Sequence, residues 1–155
     1  MLDYGAEVYK MPRENQHCAT VQEFDFNAWK EKVYIWLCWW NLCHLGREEI
    51  RAYLAGMMST LRTPYLGVRY NQGIQAGYIL LAEPTSPKIE RNNHLGQELD
   101  SRPAQFYEDI FRDLGLDVVH SKDYRTYATG DGFTISEERV WILQESSLSY
   151  YSKRA

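Results

Sequence analysis

The run Val33-Tyr34-Ile35-Trp36-Leu37-Cys38-Trp39-Trp40 constrains this chain more than any other stretch. It holds three of the five tryptophans and no charge. Read with its flanks, it predicts a helix over about Ala28 to Leu45, capped by Asp25 or Asn27 and stopped by Gly46. Trp29, Val33, Trp36, Trp40 and Cys43 would form one apolar face, and Ile35, Trp39 and Leu42 another. A helix that is apolar all round must be covered on most sides, by its own domain or by a partner.

A second helix follows directly. Ile50, Tyr53, Leu54, Met57, Met58 and Leu61 recur at the helical period. Glu48 and Glu49 sit in its first turn, where the helix dipole favours negative charge, and Pro64 closes it. The next section reads as β. Tyr65 to Tyr70 alternates, Asn71-Gln72-Gly73 turns, and Ala76 to Ala82 carries the near-continuous apolar run of a central strand covered on both faces. The stretch Lys88 to Arg102 is polar and reads as an irregular surface loop. A third helix starts at Ser101 or Arg102 with Pro103 in its first turn, buries Phe106, Ile110, Phe111 and Leu114, and stops at Gly115. Leu116 to His120 and Tyr124 to Ala128 read as short strands. Thr129 to Gly132 is a turn, and Phe133 to Gln144 is one long strand or a hairpin.

The expected fold is therefore α+β. One domain spans residues 1–155, with a mixed or antiparallel sheet of about four to six strands, a two-helix N-terminal layer and one later helix. Trp36, Leu54, Ile79, Leu80, Phe106, Ile110 and Trp141 are the expected core.

The chemistry-bearing residues form no recognisable motif. Cys38 and Cys43 lie five apart, which does not suit a shared metal, and there is no Cys-x-x-Cys or His-x-x-x-His. His44, His94 and His120 lack a Gly-x-Ser-x-Gly elbow to serve. Gly130-Asp131-Gly132 precedes a strand rather than a helix, so it cradles no phosphate. No catalytic, cofactor-binding or metal residue is assigned, and no cofactor is expected. The net charge is −4 with no run of Lys and Arg, which disfavours nucleic acid. Three cysteines argue against a disulfide framework, and no apolar run approaches the length of a membrane span. These features indicate a cytoplasmic setting, or a particle assembled there, and no membrane partner.

The order of elements, with Pro64-Tyr65-Leu66-Gly67-Val68 through Gly77-Tyr78-Ile79-Leu80-Leu81 and Phe106-Tyr107 through Leu114-Gly115-Leu116, is similar to GNAT acetyltransferases. The first pair resembles that family's central hairpin, the second its late helix and strand. The resemblance implies an acyltransferase with Tyr107 or Tyr124 as proton donor. It also implies a Gly-rich pyrophosphate loop, and between Ala82 and Pro103 only His94-Leu95-Gly96-Gln97 stands there.

With 12 tyrosines and 5 tryptophans, the chain is rich in residues that anchor interfaces. The leading expectation is a non-enzymatic protein-interaction module. It would be a small acidic inhibitor or accessory protein of phage or mobile-element type, or a subunit of a larger assembly such as a viral particle. Its partner would be another protein or copies of itself. The expected contacts are Tyr34, Ile35 and Trp39 on the first helix, the loop Asn92, Asn93, His94 and Leu95, and the tail Tyr150 and Tyr151. A reduced GNAT-like acyltransferase and a nucleic-acid-binding accessory domain using Arg47, Arg51, Arg62 and Arg69 are the alternatives.

Overall fold

The computed structural model describes residues 23–62, 77–94, 97–128 and 134–146. Six strands and two α-helices form there, in the order β1 (Ile35–Trp39), α1 (Arg47–Thr60), β2 (Tyr78–Thr85), β3 (Glu90–His94), β4 (Gln97–Ser101), α2 (Ala104–Asp113), β5 (Leu116–Ala128) and β6 (Thr134–Glu145). Short 3₁₀ turns cover Phe26–Trp29 and Leu42–His44. The main sheet runs β1-β2-β6-β5, and β3 and β4 form a separate hairpin. β1 pairs parallel to β2, while β6 runs antiparallel to both its neighbours. The fold is α+β with a mixed sheet, as expected.

The correction concerns the tryptophan-rich run. It is a strand between two 3₁₀ turns, not a helix, so the N-terminal layer holds one α-helix. Val, Ile, Tyr and Trp favour the pleated surface, where branched and aromatic side chains pack without crowding a preceding turn. Burial alternates along β1: Trp36 and Cys38 turn inward, while Ile35, Leu37 and Trp39 face outward. Asp25 does cap, but it caps the first 3₁₀ turn, its carboxylate accepting the Asn27 N–H at 3.0 Å.

One core lies on the inward face of the sheet. Register aligns Trp36 with Ile79, Cys38 with Leu81, Ile79 with Leu143 and Leu81 with Trp141. α1 covers the β1 side, presenting Ile50, Leu54 and Met57, and its Thr60 hydroxyl accepts the Trp36 indole N–H at 2.7 Å. α2 covers the β6 side, where Tyr107 and Phe111 pack their rings against Trp141 at 5.5 and 5.7 Å. Leu54, Ile79, Ile110 and Trp141 are buried as expected. Trp36 and Phe106 pack at the rim, and Leu80 is half-buried on the opposite face.

The helices begin and end where chemistry dictates. The Glu49 carboxylate reaches back to accept the Gly46 N–H at 2.8 Å, satisfying an orphan donor at the start of α1. Gly115, at φ 73°, closes α2 in a backbone conformation that a side chain resists. β2 is the central strand foreseen, with β1 on one edge and β6 on the other, but among the described residues the helices cover only its Ile79 and Leu81 face, and Tyr78 and Leu80 on the other are half-buried.

The polar stretch expected as a loop is instead the β3–β4 hairpin. The two short strands expected between 116 and 128 are one strand whose register shifts mark bulges. The expected strand over 65–70 and its turn lie outside the described residues. The first strand of the hairpin likened to GNAT acetyltransferases falls there too, and its second, β2, pairs with β1 and β6.

Candidate functional site at the carboxyl end of the parallel strands

Parallel neighbours end together, so Trp39 of β1 and the last residues of β2 leave the sheet at the same end. Open α/β sheets take their ligands there, outside the carboxyl ends of parallel strands.

The exit from β1 is strained. Trp40 adopts φ 54°, while its N–H still donates to the Ala82 carbonyl at 2.8 Å. A bulky residue in the left-handed region costs about 1–2 kcal/mol and persists only where its surroundings over-determine it. Glu83 holds the residues that follow. Its carboxylate, with 0% of the residue exposed, accepts three successive backbone N–H groups: Asn41 at 3.0 Å and Leu42 at 2.9 Å on Oε1, and Cys43 at 3.0 Å on Oε2. Arg102 grips the other side. Its guanidinium donates to the Leu42 carbonyl at 3.1 Å, the Leu45 carbonyl at 2.8 Å and the Asp100 carboxylate at 2.9 Å. It also lies 5.0 Å from the Phe106 ring centroid.

Burial dominates the titration of this cluster. It lifts Glu83 to about 7, against the pull of the three amides that favour the carboxylate. It pushes the Cys38 thiol to about 11 and the Cys43 thiol to about 12. Tyr107 is raised too, chiefly by burial and then by Glu83, with Arg102 pulling the other way. A thiol held this far up is protonated at neutral pH and is a poor nucleophile. Among the described residues no group of three or more His, Cys, Asp or Glu could hold a metal ion.

The residues expected to bind a partner fall in three places. Tyr34 precedes β1, and the Arg62 guanidinium lies over its ring at 4.6 Å and hydrogen-bonds its hydroxyl. Ile35 and Trp39 share the outward face of β1 with Leu37, at 58%, 60% and 72% exposure, so they line a strand face and not a helix face. Asn92, Asn93 and His94 belong to β3, while Leu95, Tyr150 and Tyr151 lie outside the described residues.

Glu83 and Arg102 escaped the sequence reading. The signal was there for Glu83: a carboxylate at the end of a run of apolar residues in a central strand must find strong partners or lose its charge.

No protein-family model and no curated protein matches this chain. Its shape does match solved structures. It is similar to a SAM-dependent methyltransferase from Methanosarcina mazei, with a TM-score of 0.62 at 10% identity over 94% of this chain and 77% of that one. It is also similar to 1,6-didemethyltoxoflavin-N1-methyltransferase from Burkholderia thailandensis, solved with bound 1,6-didemethyltoxoflavin and S-adenosylhomocysteine. There the TM-score is 0.57 at 13% identity over 84% of this chain. A third likeness is to a SAM-dependent methyltransferase from Leishmania major, with a TM-score of 0.54 at 15% identity over 74% of this chain. The chain spans 49% of the Burkholderia protein and 39% of the Leishmania one.

What these likenesses show is the fold. It is a fold that methyltransferase enzymes share. That overturns the expectation of a non-enzymatic interaction module, whether inhibitor, accessory protein or viral assembly subunit. The expectation rested on missing motifs, acidic charge and an excess of Tyr and Trp, none of which reports a fold. Among the described residues no helix is long and apolar enough to cross a membrane.

Proposed function

We propose that this chain forms one wall of a methyltransferase-type site and takes an S-adenosyl ligand at the turn where β1 leaves the sheet beside β2. The observation that carries the reading is the strained Trp40, held at the carboxyl end of a parallel strand pair in a fold that solved SAM-dependent methyltransferases share.

The residues present fit part of such a ligand. An S-adenosyl sulfonium is a cation attached to a flat base. Trp39 offers an exposed indole face, the best of the aromatic rings for a cation, and Asn41 offers an exposed amide. The Glu83 carboxylate is sealed and committed to three amides, so it is not free to bind ribose hydroxyls or an ammonium group. The ribose and amino-acid ends of the ligand therefore need groups beyond this wall. Bound S-adenosylmethionine would supply the methyl group, and no residue is assigned to its transfer.

Calorimetric titration of the full chain with S-adenosylhomocysteine tests the reading. A ligand at 100 times its dissociation constant raises stability by about 2.7 kcal/mol, so saturable heat and an upward thermal shift are expected together. Trp39→Ala should weaken binding of S-adenosylmethionine, the ligand that carries the sulfonium charge, roughly tenfold or more while leaving the unliganded melting temperature nearly unchanged, since the ring is exposed. Adenosine binding as tightly as S-adenosylhomocysteine would remove the sulfur-bearing arm from the argument. Absence of heat at millimolar ligand would end the proposal.

A further inference from the structure

We propose that the Trp40–Leu45 turn is a two-sided latch: the buried Glu83 carboxylate holds its amide side, the buried Arg102 guanidinium holds its carbonyl side, and loss of the carboxylate's charge releases Trp40 from its left-handed backbone. The inference concerns the folded chain itself and is independent of the ligand reading.

The geometry carries it. Beyond Trp40 the backbone turns away from the sheet, and three N–H groups in a row point to one carboxylate. Leu42 and Cys43 are 0% and 1% exposed, so no solvent stands ready to replace that acceptor. Arg102 holds the same turn by its carbonyls at Leu42 and Leu45. It follows β4 and forms a β-bridge with Thr85, two residues beyond Glu83. Acid, turn and base are therefore one closed circuit. Opposite charges grip opposite polar sides of a short backbone segment, whose first residue would otherwise relax.

The same circuit makes the latch respond to protons. The titratable and charged groups around Glu83 are Cys38 from β1, Cys43 from the turn, Tyr53 from α1, Tyr107 from α2, Arg102, and Arg139, its register partner on β6. Burial holds both thiols and both phenols well above neutral, and a guanidinium stays charged throughout. Glu83, lifted by burial to about 7, is the member of this group that changes charge near neutrality. A protonated carboxyl is a weaker acceptor than a carboxylate, so the three amide bonds weaken as pH falls.

Amide NMR of the full-length, ¹⁵N-labelled chain tests this from about pH 8 to about pH 5. The Asn41, Leu42 and Cys43 amides should titrate together with a midpoint near 7, and their protection against hydrogen exchange should fall roughly ten- to a hundredfold. The amides of Leu81 and Leu143 should keep theirs. Glu83→Gln should end the shared titration and leave the Cys43 amide, whose acceptor is lost, poorly protected at both ends of the range. A glutamine oxygen can still accept from Asn41 and Leu42, but its NH₂ would face the Cys43 N–H, donor against donor. Adding Trp40→Gly should raise the protection of the Asn41 and Leu42 amides in the glutamine background, because glycine needs no latch at positive φ. Three amides that ignore pH in the wild-type chain overturn the proposal, and so does a glycine that rescues nothing. If Glu83→Gln fails to fold, Trp40→Gly alone should shrink the loss of protection of these amides at low pH, and an undiminished loss refutes the latch.

Discussion

At the scale of single residues, Glu83 sets a stability profile whose direction can be worked out. Its folded value of about 7 stands above the ordinary 4.5. Between those values the folded chain binds this proton more tightly than the unfolded chain does. By linkage, the contribution of Glu83 to stability falls as pH rises through that window and is least favourable above 7. The cost of the buried charge at pH 8 is a few kcal/mol, since each tenfold change in proton affinity is worth about 1.4 kcal/mol. Urea unfolding at about pH 5 and about pH 8 should therefore show the wild-type chain losing stability relative to Glu83→Gln as pH rises. A difference that stays constant with pH would place the titration elsewhere. The turn behaves in the opposite sense. Acid stabilises the molecule by relieving a buried charge, while it loosens the hydrogen bonds that this charge makes. A brace that merely contributed to stability would move both readouts the same way.

At the scale of elements, α1 carries a position where helix propensity and packing disagree. Gly56 lies in its interior, and alanine there would ordinarily gain about 1 kcal/mol of helix stability. A Cβ at Gly56 would come within 2.5 Å of the Phe26 ring. That ring is not free to swing away, because it packs against Phe24, Trp36 and Tyr53 at 4.9, 6.1 and 5.7 Å. Overpacking of this kind costs about 1–3 kcal/mol, so it should win. Gly56→Ala is expected to lower the midpoint of thermal unfolding, and a rise would mean that the aromatic cluster yields more easily than its contacts suggest. The two α-helices were legible in the sequence because six regularly spaced apolar residues mark α1, and Pro103 and Gly115 bracket α2. β2 was legible from its unbroken apolar run. β1 was misread because the eight apolar residues from Val33 to Trp40 carry no period to separate helix from strand. Their shortness and their Val, Tyr, Ile and Trp content were the better guides. The β3–β4 hairpin was missed because Glu90 to His94 is entirely polar and shows no alternation. The site was hardest to read. Glu83 and Arg102 meet the turn from positions about 40 and 60 residues away, a link created by the parallel pairing of β1 with β2 and by the bridge from Thr85 to Arg102.

At the scale of the whole molecule, the main sheet is covered unequally among the described residues. Both α-helices pack on the face of Trp36, Cys38, Ile79, Leu81 and Trp141. The opposite face carries Ile35, Leu37 and Trp39 on β1, with Leu80 and Ile142 half-buried beside them. Parallel strands are normally covered on both faces, because the helices of their connections lie on the sheet. An open apolar face next to an edge strand is a liability in solution, where it drives association without a fixed partner. Leu37 is the most exposed of these residues, at 72%, so a charge there meets little packing to disrupt. Leu37→Lys should change unfolding free energy by no more than about 0.5 kcal/mol while raising the concentration at which the chain precipitates. Trp141→Ala is the control on the other face. It removes a fully buried ring that packs against Tyr107 and Phe111, and should cost about 3–5 kcal/mol. Equal losses from the two substitutions would mean that the outward face of β1 is packed as tightly as the core. A small loss at Leu37 beside a large one at Trp141 would fix which side of the sheet holds the molecule together.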